Sequence, residues 1–194
     1  MYCYNASMSK VVKLLLISQI VLVLAIIICT ALLPQFLFST DQGGVSNYGV
    51  NGETVVPFTL GFIGCGVLIC LGAFALPKDA RHQSSFRAAL LLVGGLCLLV
   101  AVTTYTYKIN AFFDNLHVFS TQALFLAELP LAMWFALELV KSTPSRYLLI
   151  AFFFGFLLAV LTLLGMIHLL FIAEILTTFS FGALMVLAAR KLTT

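Results

Sequence analysis

From Tyr147 to Ala189 the chain runs 43 residues without a Lys or an Arg, broken only by one carboxylate, Glu174, and one histidine, His168. As a single helix this run would extend about 65 Å, far beyond the hydrocarbon thickness of a bilayer. It therefore has to turn once. Gly165-Met166-Ile167-His168 is the only stretch near the midpoint that joins a helix breaker to a polar residue. Two spans, 147–165 and 168–189, are expected to meet there in a tight hairpin.

Four more apolar runs precede this pair. Leu14 to Leu33 is ended by Pro34 and is too long for the h-region of a secretory signal, so it is read as a retained span. Val55 to Leu76 carries no charge and closes at Pro77-Lys78-Asp79. The run 87–106 contains Gly94-Gly95 and Thr103-Thr104, residue types that let helices approach closely or hydrogen-bond across an interface. The run 117–140 contains Glu128 and Pro130, and a kink is expected near the proline. The sequence thus predicts an all-α fold, one transmembrane domain of six helices spanning 1–194. At 62% hydrophobic and 9% charged, with a mean hydropathy of +1.15, the composition excludes a soluble domain and a disordered chain. A net charge of +3 is too dilute for a nucleic-acid surface.

Charge also predicts orientation. With the N-terminus inside, Lys10, Lys13, Lys78, Arg81, Arg87, Lys141, Arg146, Arg190 and Lys191 all fall on the cytoplasmic side and only Lys108 falls outside. Both termini are then cytoplasmic, and the Asn5-Ala6-Ser7 sequon is on the wrong side for glycosylation. Tyr48, Tyr105 and Tyr107 are expected in an outer aromatic belt and Tyr147 in an inner one. Of the cysteines, Cys29, Cys65, Cys70 and Cys97 sit in apolar runs and read as packing residues rather than a disulfide framework, while Cys3 precedes the first span.

The polar residues concentrate toward the outer ends. On span four, Asp114, His117, Thr121 and Glu128 are spaced by three, four and seven, a single helical stripe. A polar stripe in a membrane is expected to face the bundle interior or a wet cavity. Glu174, with Thr177 and Thr178 below it, would reach the same level from span six, and His168 would lie at the outer hairpin. Two carboxylates sharing such a site do not both ionise readily unless His117, His168 or a cation compensates. No HExxH, GxSxG or phosphate-loop pattern occurs. The stretch Asp41 to Gly49 reads as an ordered outer loop with turns at Gly43-Gly44 and Gly49.

That loop, ending in Ser46-Asn47-Tyr48-Gly49, followed by a charge-free span two and by His117 opening span four, resembles the DRAM/Frag/Sfk-like group of six-span membrane proteins and their uncharacterised bacterial relatives. Those relatives carry an acid after the loop serine where this chain has Asn47. The resemblance implies six helices with both ends cytoplasmic and an association with membrane lipid organisation. The expected function is a non-catalytic plasma-membrane protein that binds a lipid, a lipophilic ligand or a partner membrane subunit (another protein or a second copy of itself) through an outward-opening interhelical cavity lined by Asp114, His117, Thr121, Glu128, His168 and Glu174. Two alternatives stand beside it. One is an intramembrane metal-dependent lipid hydrolase, and the other is a small proton-coupled transporter with Glu128 and Glu174 as relay sites. The sequence names no cofactor.

Overall fold

The structure, a computed structural model, describes residues 8–37, 44–77, 82–106 and 111–193. Cys3, the Asn5-Ala6-Ser7 sequon, Asp41, Lys78, Arg81, Tyr107 and Lys108 lie outside them. Among the described residues every regular element is helical. The six long helices are α1 (Lys10–Leu32), α2 (Val55–Phe74), α3 (Gln83–Thr106), α4 (Ala111–Trp134), α5 (Thr143–Leu163) and α6 (Leu170–Thr193). All six are long and apolar enough to cross a membrane. Their outward faces carry exposed Leu24, Leu60, Phe119, Leu126 and Ile150, so large apolar side chains stand on the outside of the bundle as well as in its core.

Neighbouring helices pack in chain order from α1 to α4 and again between α5 and α6, and α6 returns to α1. The Ser9 hydroxyl at the start of α1 lies 2.9 Å from the Thr193 hydroxyl at the end of α6. At this first end of the bundle the core is solid. Phe135 sits between Phe86 of α3 at 5.3 Å and Phe181 of α6 at 5.8 Å, and Phe152 of α5 joins Phe181 at 6.4 Å. Between α2 and α3 the backbones meet at glycine: a Cβ on Gly66 would stand 2.8 Å from the Gly94 carbonyl oxygen. Gly94 therefore works as its residue type suggests.

α4 does not break at Pro130. It continues in α geometry to Trp134 and only then widens into a π-helical segment, Phe135–Val140, in which the Lys141 N–H reaches the Ala136 carbonyl at 3.1 Å. A π-turn thus follows the proline by one helical turn, a recognised way for a helix to absorb a disturbed ladder. The Ala136 carbonyl is also within 3.2 Å of the Ser145 hydroxyl, fastening α5 to the turn. Ser142 and Ser145 cap α5 reciprocally, their backbone N–H groups donating to each other's hydroxyl oxygens at 3.1 and 3.3 Å. Above this junction α4 follows α3 and makes few contacts with α5 and α6.

α5 stops at Leu163. Gly165, at φ 73°, takes the left-handed conformation; its N–H donates to Thr162 O at 2.9 Å and the Met166 N–H to Leu161 O at 3.0 Å. This is a Schellman ending, which glycine makes without a Cβ penalty. The chain then reaches α6 within six residues.

Candidate functional site: a capped interhelical cavity

At the second end, residues 44–54 fold back over the bundle. A 3-10 helix, Val45–Val50, opens at Gly44. The Val45 N–H donates to Oε2 of Glu174, and a Cβ on Gly44 would run into the same oxygen, so glycine lets the carboxyl group seat here. Tyr48 is fully buried. Its hydroxyl donates to Thr30 of α1 at 3.1 Å, its ring stands edge-on to Phe171 of α6 at 6.1 Å, and its carbonyl accepts from the Thr54 hydroxyl at 2.7 Å. The Cys29 thiol donates to Thr54 O at 3.7 Å. The segment is a cap, bonded to α1 and α6 and packed on α2 and α3. Burial, opposed by the Thr30 hydrogen bond, raises the Tyr48 phenol above its ordinary value.

Beneath the cap lies a cavity of about 270 Å³ to which all six helices contribute. Leu22 and Ile26 come from α1, Phe58 and Phe62 from α2, and Val100 from α3. Thr121, Phe125 and Glu128 come from α4, Ala159 and Leu163 from α5, and Glu174, Thr177 and Thr178 from α6, with Val45 at the roof. It exists because α4 diverges from α5 and α6 beyond the π-turn, leaving stacked Phe125 and Phe156 (4.8 Å, 8°) to bridge the gap. Its volume is near the lower end of ligand pockets, roughly 300–1,000 Å³.

Polar groups in the wall differ in how they are satisfied. The Thr121 hydroxyl donates within its own helix, 2.9 Å from Val118 O, and the Thr177 hydroxyl 3.0 Å from Ala173 O. Glu174 is committed to the cap. Glu128 is only 7% exposed, and its carboxyl has no hydrogen bond or ion pair to any other described residue. Among the described residues that line the cavity there is no Lys, Arg or His.

The expected stripe is therefore divided. Thr121, Glu128 and Glu174 share the cavity wall, whereas His117 does not line it: its Nδ1 is 3.1 Å from the Thr103 hydroxyl of α3, which is itself 3.2 Å from Ser120 Oγ. His117 is separated from Thr121 by about 40° around the helix, enough to turn it to the neighbouring helix instead. His168 is exposed in the α5–α6 connection, away from the cavity wall. The side chain of Asp114 lies outside the described residues. Tyr48, expected in the outer aromatic belt, is instead a core residue of the cap, because Thr30 and Phe171 offer its two ends better partners than an interface does. Val45 and Gln122 carry no signal of their own in the sequence; the turn read at Gly43-Gly44 is the one feature that points near the cap's contact with Glu174. Among the described residues no group of three or more His, Cys, Asp or Glu side chains is arranged to hold a metal ion. Comparison with protein-family models, with curated proteins and with solved structures finds no match.

Proposed function

We propose that this chain is an integral protein of the plasma membrane, both termini cytoplasmic, that binds a lipophilic molecule in the capped cavity. The observation that carries the reading is the cavity itself: an apolar chamber walled by all six helices and roofed by a bonded cap, with a small number of polar groups to orient an occupant. The resemblance of the cap sequence Ser46–Gly49 to the DRAM/Frag/Sfk-like group points the same way. Helices associate in lipid through packing, and a hollow within such a bundle forfeits contacts unless something fills it.

Two measurements test this. Purified protein in nanodiscs is expected to bind n-decanol saturably by calorimetry, and Ala159→Phe, which projects a ring into the cavity, is expected to abolish that binding while the protein stays folded. Binding indifferent to Ala159→Phe removes the cavity as the site. For orientation, in a background free of native cysteines, a cysteine at exposed Gly52 is expected to label from outside the cell and one at Ser84 only after permeabilisation. The reverse pattern overturns the topology.

A further inference from the structure

Resting on the cavity as a lipophile site, we propose that its occupant is a lipophilic amine, an apolar chain ending in one protonated nitrogen, with Glu128 as the group that receives it. Three observations converge on that class. Glu128 is nine-tenths buried, lines the cavity, and has no hydrogen bond or ion pair to any other described residue. The two cavity threonines whose hydroxyls have partners in the structure, Thr121 and Thr177, spend their single protons on carbonyls of their own helices, so toward the cavity they offer acceptor lone pairs. No Lys, Arg or His lines the chamber among the described residues, so the wall supplies no cation to Glu128.

A site that holds the buried Glu128 carboxyl and no cation is mismatched to a carboxylate, sulfate or phosphate head, which would bring like charge beside that acid; the neutral donors in the wall, the Gln122 amide and the Thr178 hydroxyl, carry no charge to offset it. The site is half-matched to an alcohol, which brings one donor and no charge. An ammonium brings three donors and the missing positive charge. A charge-assisted hydrogen bond in a water-poor site is about twice as strong as a neutral one, and a charge left unpaired in such a place is the expensive alternative. The surrounding wall, from Leu22, Ile26, Phe58, Phe62 and Phe125, supplies the apolar sleeve for the chain.

The test compares n-decylamine, n-decanol and n-decanoate at neutral pH by calorimetry on the protein in nanodiscs, with empty nanodiscs subtracting partition into the bilayer. The amine is expected to bind about tenfold to a hundredfold more tightly than the alcohol, and decanoate more weakly than either. In Glu128→Gln the advantage of the amine over the alcohol is expected to vanish while alcohol binding persists. Equal affinity of amine and alcohol in the unaltered protein overturns the amine assignment and leaves the lipophile site standing. Preference for decanoate overturns it as well. If none of the three binds saturably, the lipophile site itself fails, and the assignment fails with it. Because the first comparison uses the unaltered protein, it stands even if Glu128→Gln does not fold.

Discussion

The two ends of this bundle are built from similarly apolar sequence and reach opposite results. At the end where Ser9 meets Thr193, Phe86, Phe135, Phe152 and Phe181 interlock and the wall is solid. At the other end the helices stand apart, a cavity opens, and a folded loop roofs part of it through Val45. What separates them is the course of one helix. Where α4 carries its π-turn it is pinned to α5 through Ser145 and Ala136, and beyond the turn it leans mainly on α3, with the Phe125–Phe156 stack as its bridge to α5. Hydrophobicity thus makes all six helices long and apolar enough to cross a membrane, and backbone geometry decides whether the interior is filled.

If the solid end carries the stability, Phe135→Ala is the most damaging single change, a loss of about 3–5 kcal/mol. Thermal unfolding in one detergent measures it, and a loss below that of any cap variant would erase the contrast. Next comes Gly44→Val. Its side chain would displace the Glu174 carboxyl from the Val45 N–H, and leaving that buried donor unpaired costs about 1–3 kcal/mol. The cap, not the aromatic cluster, should then exchange its amide hydrogens faster. Hydrogen exchange that rises equally at both ends would mean they unfold as one unit. The smallest effect belongs to Tyr48→Phe, which keeps the ring against Phe171 and loses the bond to Thr30, about 0.5–1.5 kcal/mol. Since burial raises this phenol, its contribution is complete below the ordinary tyrosine value and declines as the pH rises through and above it. Stability measured above pH ~10 should therefore fall more steeply for the parent than for Tyr48→Phe.

The sequence carries the six helices plainly, because the length of an apolar run is a local property and a bilayer reads little else. The turn at Gly165 is legible for the same reason, as is the importance of Gly94. The site was legible only in part. Glu128 and Glu174 are alike as letters, each an acid in an apolar helix. One is bonded to a backbone N–H of a distant loop, and a backbone donor has no signature in residue type. His117 and Thr121 lie one turn apart on the same helix, yet about 40° of rotation gives them different neighbours. Tyr48 read as an interface residue because its partners, Thr30 and Phe171, come from helices that only the tertiary fold brings together.

The π-turn at Phe135–Val140 also sets a phase. It amounts to one residue more than a regular helix would need over the same stretch, and one residue corresponds to about 100° of rotation. With α5 anchored below it, the turn determines which way every side chain above it points. Deleting exposed Leu137 would restore an ordinary ladder and swing the upper half of α4 by about that angle. Glu128 would leave the cavity and turn toward the bilayer, where a carboxylate costs about 2.5–3.5 kcal/mol on insertion scales. The direction of the chamber's acid is in this sense written in the count of residues beneath it rather than in their identity.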